Sequence, residues 1–103
     1  MIDARRQQHI YRTQGLDWEV GFDAPGTEYP RHAHEETRLY TVAGSLSIKL
    51  FAVDGAEENH ELLPGTEFVV AGGQEHEAVA GESGWKYVAA WDPAEAAIYE
   101  TID

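Results

Sequence analysis

Apolar and polar residues alternate one by one along much of this chain. "LDWEVGF" sets Leu16, Trp18, Val20 and Phe22 on one face, with Asp17 and Glu19 on the other. "SLSIKLFAV" likewise sets Leu46, Ile48 and Leu50 opposite Ser47 and Lys49. A period of two is how a half-buried antiparallel strand reads. "RLYTVA", "HELL", "EFVVA", "HEAVA" and "WKYVAAW" extend the pattern, and turn residues fall between these runs: Pro25-Gly26, Gly44, Asp54-Gly55, Pro64-Gly65, Gly72-Gly73 and Gly81. Asp54-Gly55 predicts a tight hairpin, because both residue types tolerate positive φ. About seven or eight short strands predict an all-β sandwich or barrel. The one helical signal is "DPAEAAIYE". There Asp92 suits the cap, Pro93 the first helical position and Glu95 the place of a capping-box acid, so at most a short C-terminal helix is expected.

Composition narrows this picture. The 103 residues predict one domain, with a barrel core at about residues 16–91, an N-terminal arm at 1–15 and a tail at 92–103. The chain has no cysteine, so neither a disulfide nor a thiolate ligand is available. A formal charge of −12 opposes nucleic acid and anionic lipid, whose binding rests on neutralising phosphate. The opening "MIDARRQQHI" lacks the apolar centre of a signal peptide, and no apolar run approaches bilayer length. The expectation is a cytoplasmic protein with no membrane partner.

Candidate chemistry begins at "RHAHEETRLYTVAG", residues 31–44. Residues two apart on a strand project the same way, so the imidazoles of His32 and His34 can converge on one ion. Two ligands rarely suffice, and a lone His-x-His is common without a metal. His76 sits in "PGTEFVVAGGQEHEAVA", just beyond a Gly72-Gly73 loop. Taken alone, it reads as a surface or hydrogen-bonded histidine.

Together the two segments resemble the cupin superfamily. Gly26, five residues and then His32-Ala33-His34 match the opening of its first motif. Gly65, five residues, Ala71-Gly72-Gly73, two residues, His76 and then Ala80 follow the spacing of its second, with alanines in place of the usual proline and asparagine. Residues 45–64 separate the motifs, a gap typical of small single-domain members. The resemblance implies a small double-stranded β-helix, or jelly-roll barrel. It also implies a divalent metal (zinc, iron, manganese, nickel or copper) on His32, His34 and His76, a small-molecule ligand, and a homodimer burying the "LDWEVGF" strand or an adjacent sheet face.

The first motif departs from the family at its glutamate, a usual fourth ligand. Counting forward four places from His34 reaches Arg38, and counting back seven from Gly44 reaches Thr37. Glu36 shares strand parity with the histidines and is a candidate displaced ligand. Alternatively three histidines act alone, as in cupins resembling cysteine or diketone dioxygenases. As a third alternative Arg38 takes the glutamate's place, leaving a metal-free site, or turns away to pair elsewhere. Arg38 also suits a substrate carboxylate through a bidentate contact. Tyr40, Phe51, His60 and Tyr87 are further candidates for a substrate pocket, as are Trp85 and Trp91, although aromatic residues in a small barrel also serve as core filling. Glu75 and Glu77 flank His76 and are expected to face solvent. A metal-dependent small-molecule enzyme, such as a three-histidine dioxygenase, is the reading the missing glutamate favours; a non-catalytic binding or sensing barrel is the alternative.

Overall fold

A computed structural model describes residues 3–100, the side chains of residues 99 and 100 excepted. In chain order the elements are α1 (Ala4–Thr13), β1 (Asp17–Asp23), β2 (Glu28–His32), β3 (Thr37–Phe51), β4 (Glu57–Leu62), β5 (Glu67–Val70), β6 (His76–Trp91) and α2 (Pro93–Glu100). All strand pairing is antiparallel, and β3 and β6 pair along nearly their whole length. The first part of β3 also pairs β5, while the second part pairs β4. Along β6, the first part pairs β2 and the second pairs β1. One continuous sheet thus folds over into two layers, β2-β6-β3-β4 and β1-β6-β3-β5. "RLYTVA" and "SLSIKLFAV" are one strand, and so are "HEAVA" and "WKYVAAW". The glycines at 44 and 81 bend strands rather than end them. At the bend Gly44 (φ +72°) lies against the carbonyl of Gly84 (φ +79°), an approach that leaves no room for a Cβ. The register shifts between Thr41 and Ala43 and between Gly44 and Leu46 absorb the turn.

Two apolar clusters result. Between the layers, Leu46, Ile48, Leu62, Val70, Ala80 and Trp85 are buried, with Leu39, Phe68, Ala78 and Tyr87 packed against them. Outside the second layer, Tyr11, Val88 and Ala90 are buried with Leu16, Tyr40 and Val42. The lid on that outer cluster is α1, in the stretch expected as an arm. Asp3 caps it through a bond from the Arg5 N–H (2.9 Å). Tyr11 is 0% exposed and donates its hydroxyl to Glu67 at 2.6 Å, which ties the helix to β5. At the other end the Ala94 N–H bonds Asp92 (2.8 Å), as the cap signal predicts. Glu95, however, accepts the Glu36 N–H (3.1 Å), so its carboxylate pins the loop before β3.

β1 alternates as its sequence predicts, but with the faces reversed. Trp18 and Val20 lie opposite Ala90 and Val88 on the outer side, and Glu19 and Gly21 lie opposite Ala89 and Tyr87 on the inner side. α1 covers that outer side incompletely, leaving Trp18 40%, Val20 42% and Phe22 62% exposed. No helix among the described residues is long and apolar enough to cross a membrane.

Candidate metal centre

His32 ends β2, His34 follows in the loop, and His76 opens β6 directly opposite His32. Ring centroids lie 4.2 Å apart for His32 and His76, 4.8 Å for His34 and His76, and 5.1 Å for His32 and His34. One nitrogen from each ring lies within 4.8 Å of the other two, so small side-chain rotations bring all three to the roughly 2.0–2.1 Å that a zinc–imidazole bond requires.

The backbone settles which nitrogens are free. In each ring Nδ1 faces a carbonyl oxygen: His32 that of Pro30 (2.6 Å), His34 that of Glu35 (2.7 Å) and His76 that of Gln74 (2.8 Å). A carbonyl only accepts, so each Nδ1 carries the proton and donates it. Each Nε2 is left with a bare lone pair, which is how a metal-ligating histidine is normally oriented. Burial pushes the His76 pKa below its ordinary value, and the neighbouring His32 and His34 add to that, while its bond to Gln74 opposes it. The ring is therefore held neutral and able to coordinate. Three neutral nitrogens of one tautomer fit a divalent transition metal.

Of the three residues weighed at the missing glutamate, only Thr37 lines the pocket beside the histidines. It is the first residue of β3, buried and on the inner face, and its hydroxyl donates to the Glu35 carbonyl (3.1 Å) beside His34. Arg38 is on the outer face opposite Ala90, donating to Gln14 (3.0 Å). Glu36 is exposed before the strand and outside the cluster of donor atoms. Among the described residues, no carboxylate joins the three imidazoles.

The centre opens into a pocket of about 310 Å³. Trp85, Tyr87 and Trp91 from the second half of β6 form one wall, and this wall is rigid. Trp85 is buried and donates its indole N–H to the Thr41 hydroxyl (2.9 Å), and Tyr87 stacks on it at 4.1 Å with 20° between planes. Burial, then Asp23 and Glu19, raise the Tyr87 pKa, so its hydroxyl keeps its proton. Of the other sequence candidates, Tyr40 packs outside with Tyr11, Val88 and Ala90. Phe51 lies under the Arg31 guanidinium (3.9 Å). His60 sits 4.9 Å from Phe68 and 3.2 Å from Glu58, and lines a separate surface cleft. None of these three lines the histidine pocket, because strand parity or position turns each to another surface. Glu75 pairs with Arg31 and Glu77 with Lys49, both outside. Sequence reasoning missed Glu19, which does line the pocket. Its alternation with Trp18 and Val20 was visible, but alternation does not say which face is inside.

No family model matches the chain, and no curated protein matches it. Solved structures do. A single-substitution variant of oxalate decarboxylase from Bacillus subtilis superposes with a TM-score of 0.70 at 21% identity, over 84% of this chain and 22% of that one. A second structure of that enzyme, from work on its Mn(II) centres, gives 0.69 at 21% identity over 85% and 23%. KdgF from a Halomonas species gives 0.64 at 26% identity over 77% of this chain and 70% of that one. The chain thus spans less than a quarter of the length of the oxalate decarboxylase chains. All of these have the cupin fold, and the likeness shows that this chain has it too.

Proposed function

Starting from a cupin fold with three converging imidazoles, we propose that the chain is a metal-dependent enzyme acting on a small organic molecule, with its divalent ion on His32, His34 and His76. The observation that carries this reading is the set of three Nδ1-to-carbonyl bonds, which leaves an Nε2 lone pair free on each of three clustered rings. Three neutral ligands leave a divalent ion its full charge and several open positions, so when bound it supplies Lewis acidity and room for dioxygen or a substrate oxygen. The protein's own residues do the rest. Trp85, Tyr87 and Trp91 exclude water and hold a flat substrate, and the protonated Tyr87 hydroxyl can donate to a substrate oxygen. With no carboxylate among the described residues joining the three imidazoles, a three-histidine dioxygenase is the subtype favoured. The exposed Trp18, Val20 and Phe22 support a homodimer through the outer face of β1.

Elemental analysis of protein purified without an affinity tag is the first test. About one equivalent of a transition metal in the wild type, lost in both His32→Ala and His76→Ala, is expected by simple three-ligand stoichiometry. Metal-free wild type that also refuses added Fe(II), Mn(II) and Zn(II) would sink the reading. Oxygen uptake with diketones or thiols then tests the subtype. In the second reading the barrel binds or senses a ligand without turning it over; full metal loading without turnover across such a panel would select it.

A further inference from the structure

The walls of the histidine pocket also restrict what can enter it. Among the described residues, Glu19 and Glu35 are its only charged lining residues apart from the histidines, and no lysine or arginine lines it. The nearby cations are engaged elsewhere: Arg31 with Glu75 and Phe51, Arg38 with Gln14, and Lys49 with Glu57 and Glu77. The remaining surface is apolar, with Tyr29, Trp85, Tyr87 and Trp91 set among aliphatic side chains such as Leu39, Leu46 and Ile48.

Glu19 is placed unusually. It projects from the inner face of β1, opposite Ala89, whose small side chain leaves it space. Glu19 is exposed, and its charge, with that of Asp23, acts on the Tyr87 hydroxyl. The same strand turns Trp18, Val20 and Phe22 to solvent. Directing a carboxylate inward adds nothing to the apolar packing between the layers. It does put a fixed negative charge on the wall of a ligand pocket. A ligand carboxylate could meet the ion at the histidines, but a second anionic group would find only Glu19, Glu35 and the protein's −12 field.

We propose that this pocket takes a flat, largely apolar small molecule whose free end, away from the three histidines, is uncharged or cationic, and that Glu19 is the residue that reads that end. The proposal rests on the pocket assignment above, yet it can be tested with or without a metal. Dianions such as dicarboxylates are selected against.

The test uses the full chain and probes that differ only in the charge of their tail. On Co(II)-loaded protein, dopamine, 4-ethylcatechol and 3,4-dihydroxyphenylacetate share one metal-binding head and are titrated by visible absorption. On metal-free protein, phenethylamine and phenylacetate are titrated by tryptophan fluorescence, Trp85 and Trp91 being in the wall. At low salt dopamine should bind about tenfold tighter than the carboxylate probe, with ethylcatechol between them, and phenethylamine should lead phenylacetate in the same sense. Glu19 is exposed, so Glu19→Gln should fold as the wild type does, and in it the ratio should fall to about twofold or less. Equal or tighter binding of the anionic probes, an unchanged ratio in Glu19→Gln, or no binding by any probe in either form would overturn the proposal. Failure to take up metal would remove the enzyme reading alone, since the metal-free series still measures the charge preference.

Discussion

Replacing Gly21 by alanine tests the pocket wall directly. A Cβ at that position would fall on the Tyr87 hydroxyl, 2.5 Å from Cζ and 2.9 Å from Cε1. Carbon contacts are comfortable at about 3.5–4.0 Å, so the ring would have to retreat by about 1 Å. It cannot do so freely, because its other face is stacked on Trp85, and Trp85 is bonded to Thr41. Overpacking of this kind costs about 1–3 kcal/mol, and alanine in a strand returns about 0.5–1 kcal/mol relative to glycine. Contacts this short call for the upper half of that overpacking range, so the net expectation is a loss of about 1–2.5 kcal/mol, or a fall in Tm of about 5–20 °C for a domain of this size. Thermal melts followed by circular dichroism read the single variant, and a cycle with Tyr87→Leu reads the cause. Once the ring is gone, the alanine should cost at least about 1 kcal/mol less than in the wild type. Gly21→Ala within about 0.5 kcal/mol of the wild type, or strict additivity in the cycle, would show that Tyr87 is not held as described.

Further outcomes follow from other features. Gly15 and Gly44 share nearly the same φ (+75° and +72°), but only Gly44 faces a backbone carbonyl, that of Gly84. Gly15→Ala should therefore cost only the left-handed penalty of about 1–2 kcal/mol, while Gly44→Ala should exceed about 4 kcal/mol and leave little folded protein by urea titration. Burial above all, and then Glu67, pushes the Tyr11 pKa far above its usual value. Above pH of about 10 the unfolded phenol loses its proton while the folded one keeps it, so this stabilisation is complete below pH 10 and falls as pH rises. Urea melts of Tyr11→Phe should show a loss of about 1 kcal/mol at neutral pH and a shallower alkaline decline than the wild type. Metal at about 100 times its Kd should add about 2.7 kcal/mol of stability, seen as a higher Tm that EDTA reverses. The melt of His32→Ala should ignore both treatments.

The imidazole cluster was legible from the spacing of two motifs, which brings residues 32, 34 and 76 together even though His34 lies in the loop beyond β2 rather than on a strand. The identity of the residue beside them was not. Counting offered Thr37 and Arg38 and strand parity offered Glu36, and only the start of β3 at Thr37, paired with Trp91 and Val70, fixes which one faces inward. Glu19 was hidden for a related reason. In an isolated strand the apolar side is expected to face the core, but β1 is an edge strand with a second cluster outside it, so both of its faces meet apolar neighbours. That second cluster depends on α1, whose "ARRQQHIYRT" has too few apolar positions to announce a helix and is held mainly by the burial of Tyr11. The merging of strands was obscured by Gly44 and Gly81, which read as turns whenever chain reversal and chain bending share one residue type.

β3 and β6 have a consequence for how the molecule can come apart. Each passes through both layers, so the barrel has no seam along which one half could peel away from the other. His76 at the start of β6 and Trp91 at its end both pair with β3, in a ladder broken only by the register shifts at the bend. Hydrogen exchange there should slow as one block, and the safe places to cut or graft the chain are the outer hairpin at residues 52–56 and the ends, not the bends.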